Sequence, residues 1–117
     1  MKERRQHKRL PIELSLEIKK IYKQDYIIIE DVDAEISVFD ISKSGIGFES
    51  KAKIPVGYYF DGKIKLGNTD YFYAVIHVLR GEVQADGDNI SYGAEFVGLA
   101  PFLANKIDDY ETAMKKN

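Results

Sequence analysis

The chain has 117 residues, 44% hydrophobic and 31% charged, which predicts one globular domain with a single core and excludes disorder and collagen-like repeats. It has no cysteine and only two histidines, His7 and His77, which excludes disulfide frameworks, thiolate metal sites and cysteine nucleophiles and leaves little for imidazole chemistry. The net charge of −2 is unevenly spread: the first nine residues hold five basic side chains against Glu3 and carry +4, whereas the remainder holds 12 basic and 18 acidic residues and carries −6. An acidic body repels the phosphates that a basic arm attracts, so this distribution suits a small anionic ligand better than a long DNA or RNA. Apolar runs such as Tyr26 to Ile29 and Tyr71 to Leu79 fall far short of the roughly 20 residues of a membrane span, and Met1 leads into charges rather than a signal-type apolar segment. These features predict a cytoplasmic protein without direct membrane insertion.

Residues 1–11 form a basic N-terminal arm. Ile12, Leu14, Leu16 and Ile18 then alternate with Glu13, Ser15, Glu17 and Lys19, the period of a strand with one buried face, and Pro11 sits at its start where a missing N–H does least harm. Tyr26 to Ile29 reads as a short strand or strand edge, since three successive isoleucines resist helix, and Glu30, Asp31 and Asp33 close it. Ile36 and Val38 share one parity and Phe39 and Ile41 the other, which predicts a β-bulge or strong bend near Val38. Ser44-Gly45 reads as a turn, returning into Ile46 and Phe48; Phe60, Ile64 and Leu66 define a further strand, broken at Gly67-Asn68. A long strand follows from Tyr71 to about Gln84, then a hairpin turn at residues 86–89 and a last strand through Ile90, Tyr92, Ala94 and Phe96. Leu103, Ile107, Tyr110 and Met114 change the period to that of an amphipathic helix, with Pro101 in its first turn. Six or seven short strands and one helix predict a mainly β fold, an antiparallel sheet curled into a barrel over residues 12–100, with a helix at 101–116 packed on it.

Two spacings carry chemistry. Arg5 and Arg9 form R-x-x-x-R, which alone is also the pattern of a solvated basic tail. Two guanidinium forks can hold phosphate oxygens bidentately, reach the O6 and N7 edge of guanine and stack on a purine. Asp40-Ile41-Ser42-Lys43-Ser44-Gly45 is a D-x-S-x-x-G spacing, which alone is also a plain turn at a strand end. In the functional reading Asp40 and Ser42, on one parity, project together: the carboxylate accepts the N1–H and N2–H₂ donors of guanine, the hydroxyl bonds to base or phosphate, and Gly45 permits a positive φ and a close backbone approach. His77 reads as a strand-face residue, and Arg80 is expected to pair with a strand neighbour.

The conjunction of R-x-x-x-R, one amphipathic strand and D-x-S-x-x-G beginning 31 residues after Arg9 resembles the PilZ domain, as do Tyr92-Gly93-Ala94-Glu95-Phe96 and the closing helix. The resemblance implies a six-stranded β-barrel with a C-terminal helix that acts as a bacterial receptor for cyclic di-GMP; no acid–base pair, nucleophile constellation or phosphate-binding Gly-rich loop is legible in the residues, and no enzymatic activity, cofactor or metal is expected. By the same resemblance Arg5 and Arg9 grip phosphate and guanine, and Asp40, Ser42 and Gly45 hold the other side of the ligand. Arg4, ahead of the motif, is expected to favour an intercalated pair of ligands, and His7 is a further candidate contact. Binding would order the arm against the barrel and change a surface read by an effector protein, from a monomer or weak dimer. Two alternatives remain open at this point. One is a PilZ-like interaction protein that binds no nucleotide; the other is a small barrel that binds single-stranded nucleic acid on Tyr71, Phe72 and Tyr73.

Overall fold

In the computed structural model, which describes residues 8–23, 28–68, 70–84 and 87–115, the first alternating run becomes β1 (Leu10–Tyr22). The other strands are β2 (Ile28–Ile41), β3 (Gly45–Ser50), β4 (Tyr59–Leu66), β5 (Asp70–Val83) and β6 (Ile90–Phe96), and α1 (Pro101–Lys115) follows them. The strands close into an antiparallel barrel in the order β1-β2-β3-β6-β5-β4. Closure between β4 and β1 rests on the Tyr22–Tyr59 pair, whose rings stack at 5.8 Å, with Tyr59 stacked in turn on His77 at 4.3 Å. The fold class is the one the strand periods and the family resemblance imply.

Ile36, Ile41, Ile46, Phe48, Phe60, Ile64, Ile76 and Val78 point inward and are fully buried. Phe48 lies between Tyr92, stacked at 5.0 Å, and Phe60, edge-on at 5.9 Å, the offset and T-shaped arrangements that aromatic quadrupoles favour. Tyr92 reaches through this core to a polar anchor: its hydroxyl donates to the Ala52 carbonyl at 2.9 Å and accepts the Ile54 N–H at 2.8 Å. Among the described residues no buried side-chain polar atom lacks a partner, as a stable interior requires.

Two sequence expectations change. The acidic residues after Ile29 do not end a strand; β2 runs on through them, and between the Ile18–Ala34 and Lys20–Glu30 pairs it carries three residues opposite Lys19 alone. Asp33, in this bulge, has a φ of 53°. The bulge absorbs the punctuation that the sequence suggests is a boundary. The expected switch near Val38 is present, because the β2–β3 register shifts between Val38 and Asp40. Phe39 nevertheless points outward and is 40% exposed, so the residues of the bulge face the surface.

The helix forms where the period changed. Ile107 is its buried residue, and Leu103, Tyr110 and Met114 pack against the core around it. α1 lies at the end of the barrel where β1, β3 and β5 begin and β2, β4 and β6 finish: Lys106 pairs with Asp70 at the start of β5 at 2.6 Å, and Lys43, just after β2, pairs with Asp108 at 2.8 Å. Among the described residues no helix is long and apolar enough to cross a membrane.

Candidate functional site

The hairpin geometry of β1 and β2 brings the two charged motifs together. Leu10 pairs with Ile41 and Pro11 with Asp40, so Arg9, immediately before β1, meets the end of β2. Its Nη1 donates to Asp40 Oδ1 at 2.8 Å across 31 residues of sequence. The side chains are 20% and 25% exposed, shielded enough for the pair to outweigh an open surface ion pair yet accessible to a ligand.

Asp40 owes its outward direction to the bulge in β2 and to a glycine opposite. Phe39 and Asp40 both lie over Gly47, where a Cβ would come within 2.8 Å of Asp40 Oδ1 and of the Phe39 ring. Gly47 therefore leaves the space that the carboxylate occupies, as a glycine inside a strand often does. It is a site residue that the motif reading missed, although the sequence marks it as a glycine between Ile46 and Phe48.

Ser42 and Gly45 are placed differently from the expectation. The Ser42 side chain is buried at 2% exposure, and its Oγ accepts the Ser44 N–H at 3.1 Å while its own N–H donates to the Gly45 carbonyl at 2.9 Å. The hydroxyl thus braces the turn from beneath rather than projecting beside Asp40. Gly45 has no positive φ. Its lack of a side chain serves packing: a Cβ would run into the Ala94 carbonyl oxygen and lie 2.8 Å from Glu95 Cα on β6. Arg4, Arg5 and His7 lie outside the described residues.

The site is tied to α1 on two sides. Lys8 pairs with Glu111 at 3.3 Å and the Tyr110 hydroxyl donates to the Pro11 carbonyl at 2.9 Å, holding the base of the arm, while Lys43–Asp108 holds the turn after β2. Hydrogen bonds from Lys8 and then Lys115 hold the Glu111 carboxyl below the usual glutamate range. Burial pushes the Tyr110 hydroxyl up.

Other candidate features fall elsewhere. His77 sits on the outer face with Nδ1 2.9 Å from Glu95 Oε2. Tyr71 and Tyr73 are exposed and share Lys63, whose Nζ lies 4.4 Å and 5.9 Å from their ring centroids, but Phe72 is buried in the core, so the three aromatics form no common platform. A hollow of about 650 Å³ is lined in part by Asp33, Glu35 and Glu49, with Lys51 the one cation among its described lining residues, a charge set that repels phosphate. Arg80, expected to pair with a strand neighbour, has no carboxylate partner among the described residues and lies over Gly93.

The profile of the PilZ domain family matches residues 3–111. The chain belongs to the PilZ domain family. That family is one of cyclic di-GMP receptors rather than enzymes. Among solved structures, the PilZ domain with c-di-GMP of YcgR from Escherichia coli has the same fold, with a TM-score of 0.65 and 13% identity, covering 97% of this chain and 93% of that one. No curated protein matches the chain. In this PilZ domain, then, Arg9 of the first motif and Asp40 of the second are in direct contact, and Ser42 and Gly45 build the turn that follows Asp40.

Proposed function

We propose that this PilZ domain is a cytoplasmic receptor that binds cyclic di-GMP through its R-x-x-x-R arm and D-x-S-x-x-G turn, and relays binding to a protein partner. The observation that carries the proposal is the Arg9–Asp40 contact at 2.8 Å, which joins the two motifs in one partly shielded site. Each group matches one part of the ligand. Asp40 accepts from the N1–H and N2–H₂ edge of guanine, while Arg9 and Arg5 donate to phosphate oxygens and to O6 and N7. Ser42 and Gly45 fix the turn that aims Asp40. Arg4 and His7 extend the cationic side, and Arg4 favours two intercalated ligands over one because their phosphates are closely placed.

The output follows from how the site is anchored. Ligand binding fixes the arm against the barrel, and the same arm is held to α1 through Lys8–Glu111 and Tyr110–Pro11. The Lys43–Asp108 pair links the turn to that helix as well. A partner that prefers the ligand-bound arrangement of arm and helix reads the messenger, as a population shift requires. Control of motility, biofilm or exopolysaccharide is the class of process such a relay serves.

Calorimetric titration tests the proposal, with cyclic di-AMP as the control. The expected result is saturable binding selective for cyclic di-GMP, weakened about tenfold to a hundredfold in Arg9→Ala and in Asp40→Ala, since each removes a charge-assisted hydrogen bond. A fitted ligand-to-protein ratio near two supports the role given to Arg4. Absence of both heat and thermal shift with the wild-type protein would refute the receptor reading in favour of an interaction protein that binds no nucleotide.

A further inference from the structure

Tyr71 and Tyr73 stand on the outer face of β5 and serve neither the core nor the site at Arg9 and Asp40. They are 48% and 66% exposed, and opposite them on β4 lie Lys65 and Lys63. β5 is across the barrel from β2, the strand that carries Asp40. The two rings meet edge to face at 5.8 Å, and the Lys63 ammonium lies 4.4 Å and 5.9 Å from their centroids. Among the described residues neither lysine has a carboxylate partner and neither tyrosine hydroxyl has a hydrogen bond. Val97, 43% exposed and bonded through its N–H to the Val75 carbonyl at 2.9 Å, continues this surface towards β6.

The charge of this surface runs against that of the body around it. Beyond the first nine residues the chain holds 18 acidic and 12 basic side chains, yet the two acids that flank the patch are both engaged. Asp61 accepts from the Tyr22 hydroxyl at 2.7 Å, and Asp70 accepts from Lys106 of α1 at 2.6 Å and from the Tyr71 N–H at 2.9 Å. Exposed tyrosines with unused donors are what the centres of protein interfaces are rich in. Two ammonium groups and two phenols call for anionic acceptors. Lys63 and Lys65 leave one face of a strand about 7 Å apart, the spacing of carboxylates two residues apart in an extended chain. A long nucleic acid would run off the patch onto the acidic body, and rings at 84° to each other offer no parallel faces to successive bases. An anionic membrane calls for a larger cluster of cations than two.

We propose that Lys63, Lys65, Tyr71 and Tyr73 form a docking surface for an acidic segment of a partner protein, whose carboxylates accept from the ammonium and phenol groups. α1 sets the charge of this surface. Lys106 compensates Asp70, which adjoins Tyr71, so a helix that leaves its seat exposes a carboxylate that repels the segment. A partner bound there thereby senses whether α1 is docked. The surface lies apart from the nucleotide site, so the proposal stands without the receptor reading, and it goes beyond that reading by naming where a partner binds and with what chemistry.

The test is amide NMR of the labelled protein, titrated without nucleotide with a short peptide of alternating glutamate and alanine, and with its lysine–alanine counterpart as control. Saturable shifts are expected at residues 63–65 and 71–73 with the acidic peptide alone. Affinity is expected to fall about tenfold or more when Lys63→Glu and Lys65→Glu are combined, and about tenfold when Tyr71→Ala and Tyr73→Ala are combined. Both are surface changes, expected to leave Tm within about 2 °C. Lys106→Ala is expected to weaken binding about threefold, and Asp70→Asn added to it to restore the wild-type value. Failure of that restoration would overturn the role given to α1. No saturable shift at the patch, or shifts confined to residues 8–11 of the arm, would overturn the docking surface. Tighter binding there of oligo-dT would overturn it in favour of nucleic acid, and of phosphatidylglycerol vesicles in favour of a membrane. Because the titration holds no nucleotide, its failure leaves the receptor reading standing, and a protein that binds no cyclic di-GMP still passes or fails this test.

Discussion

Replacing Gly45 by alanine is expected to destabilise the barrel by about 2 kcal/mol. The added Cβ would lie 2.8 Å from Glu95 Cα and 2.9 Å from the Ala94 carbonyl carbon, and these are backbone atoms that move only if β3 and β6 separate. Gly45 and Glu95 are the terminal pair of that ladder, next to the Phe96 N–H to Ser44 carbonyl bond at 2.8 Å. Overpacking of this kind costs about 1–3 kcal/mol and a strained ladder bond about 1 more, while the smaller conformational freedom of alanine in the unfolded chain returns about 0.4–1. For a chain of 117 residues the unfolding entropy is about 0.25 kcal/mol/K, so the net loss lowers Tm by about 8 °C. Gly47→Ala is the matched control. Its nearest atoms belong to the Asp40 and Phe39 side chains, which can rotate away, so it is expected to keep its Tm within about 2 °C and to lose ligand affinity instead. Scanning calorimetry on both variants decides. A Gly45→Ala protein melting with the wild type would refute the assignment of this motif glycine to strand packing.

Tyr92→Phe is expected to cost about 1–3 kcal/mol in urea unfolding, because the Ile54 N–H loses its buried acceptor and the Ala52 carbonyl its donor; a midpoint unchanged from wild type would contradict this. The Glu111 carboxyl is depressed, so its contribution is present above the ordinary glutamate value of 4.5 and is lost as pH falls through the lower folded value, releasing Lys8 from α1. Carbon NMR is expected to place its midpoint below 4.5, moving up in Lys8→Ala; a midpoint at or above 4.5 would refute the tie. Burial and then donation to Asp61 push the Tyr22 hydroxyl up from 10 to about 12, so the unfolded chain loses this proton first and stability falls between those two values. Ultraviolet titration is expected to show one tyrosine ionising near 12 that disappears in Tyr22→Phe, and the absence of any tyrosine ionising there would contradict the contact.

Faces were legible in the sequence where alternation was unbroken, and registers were not. Ile12 and Ile18 on β1 and Ile107 on α1 sit where their periods put them, because burial of one face dictates the period. Asp33 and Phe39 were misread because each lies at a bulge, and an extra residue in a strand reverses parity without leaving a mark in composition. Arg9 and Asp40 could be matched through the family motifs. Gly47 could not be joined to them, since its place beneath Asp40 depends on the bulged residue in β2 and on the β2–β3 register. Ser42 was assigned the right turn but the wrong direction, because a hydroxyl near a turn serves its own backbone as readily as a ligand. The ion pairs from Lys8 and Lys43 to α1 depend on where the helix docks, which no local pattern encodes.

The central claim is that cyclic di-GMP binds where Arg9 meets Asp40, and amide NMR of the labelled protein during a titration tests it most directly. The account predicts saturable shifts concentrated at Arg9, Leu10 and residues 40–47, with the amides of Glu35, Glu49 and Tyr22 unmoved. Saturable shifts gathered instead around Glu35 and Glu49, or none at any ligand concentration, would contradict it.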